Sequence, residues 1–260
     1  MEGNKKEFSN EKEKEIIQNN LIEIENEEDI ISQLNINLEK IKNNLKKYSN
    51  NNNIKEFVIL IESGSLAPPH KMHLGIMEIT KKYFEEDKTK NKAVICGFLV
   101  PSSDKYVMSK LKNDFIPLSH RINMTKLMIK NSNWLECLDW GFSSGGRIKR
   151  YIDFIIKKEF PEYNLQSYLV FGIDYYLKYK VRVRGQHICI YRPGYDINTA
   201  KNMYPENLIF IEGSNDDVSS TLIRNAIRFK DEKTISQMTS KEIIDYIKKN
   251  DIFTNCTYDK

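Results

Sequence analysis

The chain has 260 residues, 40% apolar and 11% aromatic, with a net charge of +4, enough for one sizeable α/β core. The basic excess is too small to argue for nucleic acid, and no apolar run approaches the roughly 18–20 residues of a membrane span. The four cysteines (Cys96, Cys137, Cys189, Cys256) have no metal-ligand spacing, and the first residues, MEGNKKEFSNEKEKE, have no secretory apolar core, so an intracellular protein, cytoplasmic or nuclear, with free thiols is expected.

Residues 1–53 lack proline, are rich in asparagine and end in SNNNN. The composition predicts an extension and linker over 1–53 ahead of a main domain over 54–260. Ile17, Ile24, Ile31, Leu38 and Leu45 recur every seven residues, with Leu34 and Ile41 between them in the second half. That spacing predicts a helix over about 28–47, packed on the main domain, on a partner or on a second copy of the chain; a solvated extension with accidental spacing is the alternative. On this reading, removal of residues 1–50 leaves activity nearly intact.

From residue 55 apolar runs alternate with helical patterns. FVILI (57–61) reads as a buried strand and 74–86 as a helix turning Leu74, Met77 and Thr80 inward. AVICGFLV (93–100) is a second strand, ended by Pro101. PLSHRINMTKLMIKN (117–131) has a helical apolar face of Leu118, Ile122, Leu127 and Ile129, WLECLDW (134–140) reads as a short strand, and 146–159 as a basic helix. SYLVFGID (167–174), HICIYRPG (187–194) and LIFIEG (208–213) read as strands, before helices at 219–229 and 240–250. Continuous apolar strands separated by helices predict an α/β domain with a doubly wound, mostly parallel sheet, which takes its ligands at the carboxyl ends of the strands.

GSLAPPHKMH (64–73) lies at such an end. A Gly-Ser turn lets the backbone approach a ligand, and the helix opened by His73 offers unpaired N–H groups and a positive dipole end to phosphate. His70 and His73 would add donors, and charge when protonated. A metal pair lacks a third ligand at convincing spacing, and two plain surface histidines are the other alternative. DVSSTLIRNAIR (217–228) supplies a second donor-rich helix start: Ser219, Ser220 and Thr221 offer hydroxyls, and Arg224 lies one turn in. The alternative there is an ordinary capped helix with a solvent-facing arginine.

GSLAPPHKMH resembles the G-x-F-x-P-x-H/T-x-x-H signature of the nucleotidylyltransferase superfamily, with Leu66 in place of phenylalanine, and SSTLIR resembles its S/T-S-T-x-x-R signature. Within it the chain resembles the eukaryotic-type nicotinamide/nicotinate mononucleotide adenylyltransferases. VPSSDKY (100–106), LSHRINM (118–124), NSNWLECLDW (131–140) and VFGID (170–174) are similar to the family's S-P-x-x-D-x-Y, H-R-x-x-M, pyridine-pocket and C-G-A-D elements. The likeness runs over about 56–253.

The resemblance implies a Rossmann-like fold and attack of a mononucleotide 5′-phosphate on the α-phosphorus of ATP, giving a dinucleotide and pyrophosphate, with Mg²⁺ held mainly by phosphates rather than by the protein. His73, His70 and Arg224 would carry catalysis. ATP would meet Gly64, Ser65, His70, His73, Lys110, Gly172, Asp174, Ser219, Ser220, Thr221 and Arg224. The mononucleotide would meet Ser63, Gly64, Ser65 and Asp174, with Trp134 stacked on the pyridine ring and Glu136 beside it; Trp134 as a core aromatic, with Trp140 in its place, is the alternative. The family's phosphate-reaching lysine is replaced by Lys105 or, better placed, Lys110. The segment after Asp174 is shorter than in relatives, leaving Tyr175, Tyr176 or Tyr179 to supply a missing ring. Partners would be small molecules only. Transfer to phosphopantetheine or an alcohol phosphate, and a non-catalytic nucleotide-binding protein, are the competing readings.

Overall fold

The buried apolar runs pair into a parallel sheet of β1 (Glu56–Gly64), β2 (Lys92–Pro101), β3 (Leu135–Cys137), β4 (Leu165–Gly172), β5 (His187–Tyr191) and β6 (Leu208–Glu212), in the order β3-β2-β1-β4-β5-β6. The computed structural model describes residues 36–86, 91–142, 145–179, 185–204 and 208–254. Phe57 to Glu62 in β1 and Ala93 to Pro101 in β2 are continuously buried, as strands covered on both faces must be. The order reverses between β1 and β4, so the crevice beyond their carboxyl ends is the ligand position of a doubly wound sheet. This is the expected Rossmann-like architecture.

The helices among the described residues are α1 (Glu39–Ser49), α2 (Lys71–Glu86), α3 (Asp104–Leu111), α4 (Leu118–Met128), α5 (Gly145–Glu159), α6 (Ile173–Tyr179), α7 (Asn198–Met203), α8 (Ser220–Arg228), α9 (Glu232–Met238) and α10 (Lys241–Lys249). α2 buries Met77 and Thr80 as expected, and Phe84 with them. Strand β4 stops at Gly172, and Asp174 belongs to the first turn of α6 rather than to the strand. In α4 the buried face is Arg121, Met124 and Thr125, while Leu118, Ile122 and Leu127 are only half-buried. The expected apolar face is therefore displaced by a buried arginine.

An N-terminal helix packs on the main domain, one of the expected alternatives, and differs from the expectation in where it starts. The described helix is α1, starting at Glu39 with Asn37 Oδ1 accepting the Glu39 N–H at 3.0 Å; residues 28–35 lie outside the described residues. α1 buries Ile41 (0% exposed) and Leu45 (2%). Its polar side chains meet the sheet as well. Asn44 Nδ2 donates to Ile95 O at 2.8 Å, and Lys40 Nζ to Leu135 O at 2.6 Å while pairing with Glu136 at 3.3 Å. Ile95 is the extra residue of a bulge, since Val58 pairs with Val94 and Ile59 with Cys96. The helix thus satisfies carbonyls that the ladder leaves open, and the compact unit runs from Asn37. The boundary expected at 53/54 falls inside that unit; SNNNN is a turn, closed by Ile54 N–H on Asn51 O at 2.9 Å.

Candidate active site

β1 delivers the GSLAPPHKMH turn to the switch point. Gly64 O accepts the Ser102 N–H at 2.8 Å, joining the ends of β1 and β2. Leu66 then takes a φ of 48°, a left-handed conformation that a bulky residue adopts only under constraint. The constraint is visible on both sides. Arg121, fully buried, donates from Nη1 to Ser65 O (3.1 Å) and Ser102 O (2.6 Å), from Nε to Ile116 O (3.2 Å) and from Nη2 to Asp104 (2.7 Å). Arg224 Nη1 donates to Ala67 O at 2.9 Å. Two buried guanidinium groups therefore hold the carbonyls flanking Leu66, and burial of their charge is met by hydrogen bonds.

His70 and His73 stack with ring centroids 3.7 Å apart. The His70 backbone N–H donates to His73 Nδ1 at 3.0 Å, so the neutral His73 ring carries its proton on Nε2. Burial pushes His73 down to about 4 and His70 down to about 2, the neighbouring imidazole adding to the effect at His70. Both rings are neutral at pH 7. They offer N–H donors to a phosphate, not the positive charge that protonation would bring.

A cavity of ≈500 Å³, within the range of small-molecule sites, opens at the ends of β1 and β4; neither His70 nor His73 is among its lining residues, and His73 reaches it only through Glu62, 4.0 Å from its Nε2. Ser63, Gly64, Ser65, Lys110, Gly172 and Asp174, all expected, line the cavity. Of the two candidate lysines it is Lys110 that faces the turn, its Nζ donating to Ser65 Oγ at 3.2 Å. The second signature meets the first at this place. Ser219 caps α8 by accepting the Leu222 N–H at 3.2 Å, and Ser220 Oγ donates to Pro68 O at 2.8 Å. Segments about 150 residues apart are thus bolted together. Arg224 departs from its expected part: 6% exposed, it also engages Asp114 at 2.9 Å and Thr221 at 3.1 Å, with Arg228 on the same carboxylate. It holds the turn, and it is absent from the cavity wall.

Trp134 and Glu136 also depart. Trp134 is 6% exposed in the core between α2 and the sheet, its Nε1 donating to Glu78 at 3.1 Å, and a Cβ on Gly97 would stand 2.6 Å from its ring. Glu136 faces Lys40. Neither lines the cavity. Its aromatic wall is Tyr106, Phe142, which Trp140 approaches at 5.9 Å, and Phe171 with Tyr175, stacked at 4.1 Å. Of the two tyrosines whose side chains are described, Tyr175 is the one in the cavity wall. Tyr176 is fully buried with its hydroxyl on Ile188 O at 3.1 Å, and the Tyr179 side chain lies outside the described residues. Glu62 and Phe142 were not among the expected site residues, and Tyr106 and Arg121 entered only within the family-like elements VPSSDKY and LSHRINM, with no part assigned to them. The acid inside the apolar run FVILIES was a signal for the first.

Comparison with known proteins places these features. The cytidylyltransferase-like family model matches residues 63–226. The nicotinamide/nicotinic acid mononucleotide adenylyltransferase of Arabidopsis thaliana is 22% identical over 81% of this chain and 95% of its own. Nicotinamide/nicotinic acid mononucleotide adenylyltransferase 1 of Bos taurus is 36% identical over 34% of this chain and 30% of its own. The Plasmodium falciparum nicotinic acid mononucleotide adenylyltransferase complexed with NaAD shares the fold, with a TM-score of 0.54 at 18% identity over 75% of this chain and 97% of that one. With a matched segment running from the end of β1 into α8, the chain belongs to the cytidylyltransferase-like family.

Proposed function

We propose that this chain is an adenylyltransferase that joins the AMP moiety of ATP to nicotinamide or nicotinate mononucleotide, releasing pyrophosphate and giving NAD⁺ or its deamido form. The observation that carries this reading is the junction of the two phosphate signatures, Ser220 and Arg224 on the carbonyls of Pro68 and Ala67, beside a cavity at the β1/β4 switch point. The named relatives above are adenylyltransferases of this kind.

An oxygen of the mononucleotide 5′-phosphate attacks the α-phosphorus of ATP; the new O–P bond forms as the bond to the β-phosphate oxygen breaks. No nucleophilic side chain is needed, so the protein contributes alignment and donors. Gly64 and Ser65 bring backbone N–H groups to the phosphates, His73 Nε2–H donates to the α-phosphate as its charge shifts, and Lys110 adds a cation from α3. The flat pair of Phe171 and Tyr175 offers a face for a heterocycle, and Asp174 an acceptor for its polar edge. Among the described residues no three His, Cys, Asp or Glu side chains gather to hold a metal. A divalent cation carried in on the triphosphate would neutralise phosphate charge.

A pyrophosphate-release assay with ATP·Mg²⁺ and, in separate reactions, the amide mononucleotide, the acid mononucleotide and phosphopantetheine tests this reading. Release with at least one mononucleotide and none with phosphopantetheine is expected. Release with phosphopantetheine alone, or with no acceptor, contradicts it.

A further inference from the structure

Glu62 sits two residues before the Gly-Ser turn, and nothing above gives it a part. Its carboxyl is 5% exposed yet lines the cavity, and Oε1 lies 3.8 Å from where a Cβ on Gly64 would stand. Oε2 is buried without a hydrogen-bond partner. Among the described residues no cation pairs with it. From α2 it meets His73, whose Nε2 is 4.0 Å away and whose ring is neutral. From α3 Lys110 shares the cavity but is directed at Ser65 Oγ, and from α4 the Arg121 guanidinium is taken up by Ser65, Ser102, Ile116 and Asp104. From α6 the cavity receives Asp174 and Lys178.

A carboxylate there would be buried without a counter-charge and would repel a polyanion bound over Gly64 and Ser65. A protonated carboxyl removes both costs and turns the unpartnered oxygen into a donor. We infer that Glu62 serves as a neutral acid in the floor of the site and donates a hydrogen bond to the substrate phosphate seated over Gly64 and Ser65, an inference that rests on the adenylyl-transfer reading. Burial pushes the carboxyl up to about 8, which is consistent with that state. The phosphate belongs either to the mononucleotide or to ATP, and both are reached by the same chemistry.

Calorimetric titration of the full chain with ATP and, separately, with nicotinamide mononucleotide, from about pH 7 to about pH 9, tests the inference. One unit above its pKa only about a tenth of the carboxyl is protonated, so Kd for the nucleotide that meets Glu62 should weaken about tenfold while the other stays level. Glu62→Gln keeps a donor without a charge: binding near that of the wild type at pH 7 and a flat profile are expected. Glu62→Ala should weaken binding about tenfold or more at every pH. Infrared spectra of the wild type should show a carboxylic-acid carbonyl band at pH 7 that Glu62→Gln lacks and that moves when the nucleotide binds, so the inference stays testable if the alanine variant does not fold. A flat wild-type profile, absence of that band, or Glu62→Gln as impaired as Glu62→Ala overturns it; the last result would mean that the carboxylate itself is needed. Binding with the predicted profile but no pyrophosphate release would remove the adenylyl-transfer reading and leave the donor. Turnover with unaltered binding in both variants would do the reverse.

Discussion

Replacing His73 by alanine lowers turnover about a hundredfold to a thousandfold while KM for ATP changes little. The expected size is that of removing one preorganised donor from a centre where charge develops. The geometry is specific to this ring. Its Nδ1 is held by the His70 N–H, so rotation is restricted and Nε2–H is the proton presented. A donor that strengthens as the α-phosphorus changes bonding acts on kcat rather than on ground-state binding. The cost to the fold is small, one backbone N–H losing an acceptor, about 1–3 kcal/mol. Steady-state kinetics with a melting curve on the same preparation checks this; turnover within a few-fold of the wild type makes His73 a bystander.

Removing residues 1–50 lowers Tm by about 10 °C or more. The reason lies in α1. Ile41 and Leu45 are buried, and emptying such positions costs about 2–5 kcal/mol each, against a typical stability of about 5–15 kcal/mol. The loss also uncovers Ile95 O at the β2 bulge and Leu135 O on the edge strand, which Asn44 and Lys40 now satisfy. For a domain of this size 1 kcal/mol moves Tm by about 2–4 °C. Differential scanning calorimetry of the truncated and full chains decides it: a 1–50 deletion that melts within a few degrees of the full chain shows that α1 is dispensable.

The parallel sheet was readable because its strands are continuous apolar runs separated by helical spacing, and the turn after β1 because glycine, prolines and histidines follow such a run. What was not readable depends on partners distant in the chain. The seven-residue recurrence continues through Leu38 and hides the real start of α1, whose cap residue Leu38 carries no side-chain acceptor. Arg121 looks like an outward residue of an amphipathic helix, because its partners are backbone carbonyls of other segments. Trp134 fits a pocket as well as a core in sequence. Its place is decided by Glu78 on α2 and by Gly97 of β2, where a Cβ would stand 2.6 Å from its ring. Arg224 carries the right motif, and Asp114 draws it inward.

The central claim is that the Gly64–His73 turn and the start of α8 build one site for the phosphates of ATP. A crystal structure with a non-hydrolysable ATP analogue tests it most directly. The account predicts the phosphate chain in the cavity beyond β1 and β4, with His73 Nε2, Ser65 and Lys110 in contact and Ser220 still on Pro68. An analogue bound elsewhere, or a turn at Ala67–Pro68 that parts from α8 when it binds, would contradict it.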